Sequence, residues 1–438
     1  MLKYYPRPNL PYAARNYQTS WTGRNNSKNV NARLSNIGIG SKDRINFGLG
    51  YRGSDSITPN LFQFIDTGSG RGINADLSWS RTIATRLTNS VRYSFSRNRQ
   101  QSSPYFANRE NVAAALGIAG TSQNPLNWGP PNLSFTNYGG LTDGSASLNR
   151  NQTSSATENL MWVHGAHTYT FGADYRRQQF NQFADSNGRG SYSFDGSATS
   201  YYVNGVAQSG TGYDLADFLL GLPATGSIRY GTPDKYFRGS SYDFFVNGDW
   251  RIAPRFSVVM GVRWDYATPV TEMYNRLVNL DVAPGFAAIA AVQAGQTAPY
   301  SGRVGNALIK PDRNNFSPRL GLAWRPPTKG SLVIRAGYGI YYNTSVYNSL
   351  AANLAQQPPF RPGAECHQLR GEPADHRERF SAGDQLGDEQ QLCHRSELPH
   401  RLRADLELLP AARSAVRPVR NRGLSGYEGH AARSAVHS

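Results

Sequence analysis

The stretch Ser240–Thr268, SSYDFFVNGDWRIAPRFSVVMGVRWDYAT, decides the fold. In its second half Phe256, Val258, Met260, Val262, Trp264 and Tyr266 occupy every other position, with Ser257, Val259, Gly261, Arg263 and Asp265 between them. Successive side chains of a strand point to opposite faces, so this pattern writes one apolar face and one small or polar face. The first half repeats it with Tyr242, Phe244, Val246 and Trp250, although Phe245 intrudes on the polar side. The break Ile252-Ala253-Pro254 reads as a hairpin turn. Strands of this length exceed the usual ~5–6 residues of a soluble sheet. They suit a tilted strand that crosses a bilayer, which needs about 9–11.

Four more hairpins are expected on the same pattern, pairing 29–39 with 44–53, 71–81 with 85–98, 154–164 with 167–180, and 316–325 with 331–343. Their turns are short: Gly40 to Asp43, Thr82 to Ala84, Gly165-Ala166 and Pro326 to Gly330. The links between hairpins, 54–70, 99–153, 181–239 and 269–315, are long and rich in Gly, Asn, Ser and Pro. Short turns at one end and long loops at the other is the layout of an outer-membrane barrel, with periplasmic turns and extracellular loops. Aromatic residues near strand ends (Tyr51, Trp79, Trp250, Trp264, Tyr266, Trp324, Tyr341 and Tyr342) are placed for interfacial girdles. The expected fold is therefore all-β, a partial antiparallel transmembrane β-barrel of about ten strands. A soluble β-rich carbohydrate-binding protein is an alternative, but its loops would be spread more evenly.

Composition narrows the class. Mean hydropathy is −0.55, and no apolar run approaches the ~18 residues of a membrane helix. Alternation halves the apparent hydrophobicity of each strand, so the low mean does not argue against a barrel. The net charge is +16, yet Lys and Arg are scattered without a basic helix or cluster, which argues against nucleic acid as a partner. The opening MLKYYPRPNLPYAARNYQ lacks the apolar core of a signal peptide, so the chain is expected either to stay inside the cell or to continue upstream.

No catalytic constellation stands out, and no cofactor or metal site is expected. G-x-S-x-G, H-E-x-x-H and Walker patterns are absent. His164 and His167 bracket a tight turn and read as solvated turn residues. The stretch DTGSGRG, Asp66–Gly72, looks like a phosphate loop but reads as a flexible extracellular loop. Asp143 and Asp195, each before Gly, read equally well as calcium ligands or as turn residues. The apolar island Asp214–Pro223, DLADFLLGLP, reads as a buried turn in the third long link, with a short helix against the barrel as the other option. Arg52, Arg92, Arg176, Arg263, Arg319 and Arg335 fall on the small or polar face of their strands. They are expected to line the lumen, as a structural ion-pair ladder or as contacts to a plug or an anionic solute.

Past Gly363 the composition changes. Residues 364–438 hold both cysteines, six of the eight histidines, two aromatic residues (Phe380 and Tyr427), and eleven arginines against eleven acidic residues. The whole excess charge therefore sits before them, and no alternating strand is expected there. Cys366, His367, Cys393 and His394 do not match a structural zinc spacing. Read one nucleotide later, plausible codons for 393–414 give an aromatic, alternating peptide. The expectation is a barrel domain over 1–360 and an out-of-frame, disordered tail over 361–438.

The segments Tyr242–Asp281 and Asn314–Asn343 resemble the barrel of Oar-like TonB-dependent outer-membrane proteins. So do the loop NPLNWGPPNLSF (Asn124–Phe135), the strand HTYTFGADYRRQQF (His167–Phe180) and LADFLLGLP (Leu215–Pro223). The resemblance implies a non-enzymatic receptor or transporter in the cell outer membrane, importing a bulky solute such as a saccharide, peptide or metal chelate. Its implied partners are outer-membrane lipid and lipopolysaccharide, the solute, and TonB acting through a plug segment that this chain does not show. A structural or adhesive barrel without transport is the other reading.

Overall fold

The computed structural model describes residues 1–12, 15–185, 187–327, 332–343, 346–357 and 363–367. The chain divides into a unit over Met1–Cys393 and a second over His394–Ser438 that lies outside the described residues. So do the expected boundary at 360/361, Cys393 and His394, and nearly all of the tail.

Ten long strands form one antiparallel meander in chain order: β1 (Arg24–Ile39), β2 (Asp43–Pro59), β3 (Ile65–Ala84), β4 (Leu87–Ser103), β5 (Ser147–His164), β6 (His167–Ala184), β7 (Asp234–Ala253), β8 (Phe256–Ala267), β9 (Phe316–Trp324) and β10 (Ile334–Gly339). Each pairs with the next, and β1 and β10 end the order, so the sheet is an unclosed arc of a barrel. All five expected hairpins are present. The β3–β4 turn falls at Thr85-Arg86 rather than 82–84, because a bulge lets Ala84 pair with Leu87. Gly40 and Gly165 take the positive φ that their tight turns require.

Strands β1–β7 outrun the apolar pattern, whereas β10 covers only Ile334–Gly339 of the expected 331–343. The strands β3 and β7 have 20 residues each, roughly 65 Å at about 3.3 Å per residue and twice the ~30 Å hydrocarbon core. Their extra length lies on the long-link side, where water replaces lipid and alternation is no longer enforced. Two expectations change as a result. The first link shrinks to residues 60–64, and the glycine stretch Asp66–Gly72 is strand rather than loop. There Gly68 and Gly70 face Ser56 and Ser54 across the ladder, where a methyl would meet each hydroxyl at 2.3 and 2.5 Å.

Register carries one face continuously across the sheet. Phe47, Leu77, Tyr93, Ala156, Tyr175, Tyr242 and Tyr266 are successive cross-strand neighbours. Tyr175–Tyr242 and Tyr242–Tyr266 ring centroids lie 5.1 and 6.2 Å apart, which makes an aromatic row toward the loop end. Toward the turn end His167 stacks on Trp250 at 5.1 Å, and Trp162 meets Tyr169 at 5.7 Å. His164 and His167 thus join an aromatic girdle rather than standing free in a turn. Tyr242 and Trp250 are about 27 Å apart along the strand at ~3.4 Å per residue, which brackets an apolar band of the ~25 Å expected.

The buried cores lie in the loops and at the loop end of β7. One is built from Phe64, Phe106, Val112, Leu133, Leu141 and Phe194. The other gathers Phe237, Val270, Leu277, Val292, Leu308 and Ala351, the last from the helix Val346–Leu354. The apolar island is a helix, Asp214–Leu220, closed by Gly221 in the left-handed region. Its buried face is acidic rather than apolar. Asp214 and Asp217 are fully buried, while Leu219 and Leu220 are exposed. The Asp217 carboxylate accepts from Thr199 Oγ1 at 2.7 Å and from the backbone N–H groups of Thr199 and Ala198, and Asp214 accepts from Asn137 N at 2.6 Å. Satisfied carboxylates bind the loops together here, and Phe218 adds ring contacts to Phe135 and Phe194. Gly363–His367 pairs antiparallel with Thr225–Arg229, a short strand in a stretch whose sequence lacks the alternating pattern. An edge ladder needs only backbone groups and so forms without an alternating sequence.

Candidate functional site: the polar face and the loop layer

The face opposite the apolar one is small and charged. The register places Arg52, Arg92, Arg176, Arg263, Arg319 and Arg335 all on it. Its centre is a row that the arginines alone did not reveal: Asp174, Asp243 and Asp265 stand directly opposite one another on β6, β7 and β8. Like charges in such positions repel. Arg263 answers all three, with Nη1 3.0 Å from Asp174, Nη2 2.9 Å from Asp243 and Nε 2.6 Å from Asp265. Ser317 Oγ donates to Asp265 at 3.0 Å. Phe245, the residue that broke the polar pattern, lies across Gly172, where any Cβ would fall 2.1 Å from its ring, and the Arg263 guanidinium sits 5.5 Å from that ring. The aromatic covers the bare strand at the glycine and gives the cation a second neighbour.

The remaining arginines separate. Arg92 binds Asp76 at 2.7 Å, and Ser94 Oγ donates to the same oxygen. Arg319 lies 4.8 Å from the Tyr341 ring centroid. Arg52, Arg176 and Arg335 have no carboxylate in ion-pair range among the described residues. The face therefore holds a fixed ionic knot on β6–β8, a separate Arg92–Asp76 pair, Arg319 against an aromatic ring, and three arginines without a carboxylate partner among the described residues. The aspartates were detectable in sequence, since Asp265 shares the parity of Arg263 and Asp243 and Asp174 alternate with apolar neighbours.

At the loop end, residues 120–124 and 229–234 line a polar cleft of about 280 Å³. A smaller cavity of about 110 Å³ lies between Gln182, Lys235, Phe237, Ala352 and Gln356, with Arg229 lining both. Buried carboxylates tie the loop layer together. Glu272 accepts from Arg276 Nη2 at 2.8 Å and from the backbone N–H groups of Tyr236, Tyr274 and Arg276. Burial pushes its carboxyl up, but these donors outweigh burial and hold it below the usual glutamate value. Asp281 is likewise held low by Ser301 Oγ and the Tyr300 and Ser301 N–H groups. Asp143 differs. Burial pushes its carboxyl up to about 6, although Arg189 Nη1 binds it at 2.7 Å. It ties two links together instead of making a turn, whereas Asp195 does make one, accepting from Ser197 N at 2.9 Å.

An alternating sheet with an apolar belt, a charged inner face, short turns at one end and folded loops at the other matches the family model described as an outer membrane beta barrel domain, over residues 1–388. The chain belongs to this outer-membrane β-barrel family. Its place is the cell outer membrane, with the apolar face toward lipid and the long loops outside. No curated protein matches the chain. Among solved structures it is similar to the copper transporter OprC, at 12% identity and a TM-score of 0.39, covering 72% of this chain and 36% of that one. The outer membrane transporter YddB from Escherichia coli gives 11% and 0.38, covering 72% and 40%. The ferric preacinetobactin receptor BauA from Acinetobacter baumannii gives 11% and 0.36, covering 69% and 45%. This member of the family thus spans less than half the length of those three chains.

Proposed function

We propose that the chain is the barrel portion of a non-enzymatic outer-membrane receptor that captures a bulky solute at its loop end and passes it inward through the lumen. The observation that carries this reading is the charged face, with Asp174, Asp243 and Asp265 held by Arg263, lying along the same strands that end in the loop clefts. A wall that only anchors a protein in lipid has no need of that ionic interior, whereas a path for a hydrated solute does. Arg52, Arg176 and Arg335 line that path and supply positive charge to an anionic solute or a plug. The sequence resemblance to TonB-dependent proteins supports energy input through a plug that TonB pulls.

The test is accumulation of fluorescent maltodextrin, oligopeptide or ferric chelate by cells with and without the gene, each with and without TonB. Accumulation of one probe that needs both the gene and TonB is the expected result. Surface binding that needs the gene, with no accumulation in any background, would instead establish the adhesive reading.

A further inference from the structure

The outer face carries a charge pattern that the lumen does not explain. Above the tyrosine row, register aligns three further rows of outward side chains across β1–β7. The uppermost runs Lys28, Gly53, Arg71, Arg99, Arg150, Asn181, Tyr236. The next runs Val30, Tyr51, Ile73, Arg97, Gln152, Gln179, Arg238, and the third ends in Arg177 and Ser240. These rows hold seven cationic side chains and no acidic one.

Arg71, Arg99 and Arg150 are immediate neighbours on three adjacent strands, a repulsive arrangement that mirrors the aspartate row inside. The inner row has Arg263 to neutralise it. The outer row has only Asp55, which takes Arg71 at 2.9 Å from the row above. Lys28, Arg97, Arg99, Arg150, Arg177 and Arg238 have no carboxylate in ion-pair range among the described residues. Several are steered by neutral neighbours instead: Arg177 donates to Ser240 Oγ at 3.0 Å and Arg238 to Asn181 Oδ1 at 2.7 Å. The band also descends along the sheet, from the first row on β1–β5 to the third on β6. That is the drift expected when tilted strands cross a surface of constant height.

We propose that this band is a docking site for the phosphate groups of a phosphorylated glycolipid in the outer leaflet. The band begins one row beyond the tyrosine girdle at Arg177 and ends three rows beyond it at Arg71, Arg99 and Arg150, about 7 to 20 Å along the tilted strands at ~3.4 Å per residue. On the lipid-facing side and the long-loop end, that range spans the headgroup level of the leaflet and the layer above it. Planar guanidinium groups match phosphate oxygens in pairs. Arg71 and Arg150, two strands apart, stand ~10 Å from each other at about 4.8 Å per strand, which lets one lipid carrying two phosphates bridge the row. The site rests on the orientation of the barrel and not on transport, so loss of uptake would leave it untouched.

The test uses the full chain in detergent micelles, probed with bis-phosphorylated lipid A and with its dephosphorylated form, and read by lipid retained per protein. Wild type is expected to retain the phosphorylated form at least tenfold better. The R71Q/R99Q/R150Q variant should fall to the dephosphorylated level, and the turn-end variant R44Q/R81Q/R86Q should not. Unheated gel mobility reports folding. If the triple variant fails to fold, R150Q alone must lower retention severalfold. Equal retention of both lipids, unchanged retention in the band variants, or equal displacement by millimolar inorganic phosphate would overturn the proposal.

Discussion

In the sheet, Phe244, Leu320 and Tyr338 keep more than half of their surface uncovered, while in the loops Leu141 and Leu277 keep none. Both sets are large apolar residues in the same chain. The strands turn theirs outward because a single curved layer has no second layer to bury them, and the bilayer takes that role. The loops fold in water and must therefore make their own cores and satisfy their own carboxylates, as Glu272 and Asp217 do. The charges follow the same division. Inside the sheet one arginine is caged by three aspartates, whereas in the loops single carboxylates gather backbone N–H groups.

The sharpest break of this comparison is Arg263→Gln. It leaves Asp174, Asp243 and Asp265 facing one another without a cation and is expected to cost about 3–5 kcal/mol. Urea midpoints in detergent should show it, with Asp243→Asn in the same chain recovering part of the loss. Next is Leu277→Ala in the loop core, expected to cost about 2–5 kcal/mol. Its mark should be faster hydrogen exchange across 268–315 with β1–β6 unchanged, and a sheet that loosens as well would refute the separation of the two regions. Val246→Arg places a charge on the lipid face near mid-membrane for about 2–4 kcal/mol. That loss should appear as a smaller folded fraction in vesicles, with exchange in the loop cores unaltered wherever the barrel has formed.

The smallest effect is a pH dependence. The Asp143 carboxyl is raised to about 6 by burial, so the folded loops bind its proton more tightly than the unfolded chain does. Its contribution is full below the ordinary aspartate value and is lost as pH rises through about 6. Proteolysis of 104–146 should therefore be slower at pH 5 than at pH 7.5, and Asp143→Asn should remove the difference. Glu272 acts with the opposite sign, stabilising above the ordinary glutamate value and failing only in stronger acid.

The strand from Phe256 to Ala267 was legible because lipid on one face and water on the other force strict alternation along it. The first strand was harder to read. Its apolar positions run Val30, Ala32, Leu34 and then Ile37, Ile39, and the change of parity is a bulge at Asn36, which takes a φ of 58° and donates its N–H to Asn46 Oδ1 at 2.7 Å. The helix at Asp214–Leu220 was misread for a related reason. Its buried face is acidic, and the partners that make burial tolerable come from residues 137 and 198–199. Parity alone put the six arginines on the polar face, yet nothing in a single strand says that three aspartates from three strands share one of them.

What the sequence determined by itself was each strand, its turn and its apolar face, because period 2 and turn chemistry are local and a bilayer enforces them residue by residue. The tertiary structure alone decided how far strands run past the membrane, which loops share a core, and which charges meet. Those depend on register between strands and on contacts between links far apart in the chain, and no local pattern encodes them.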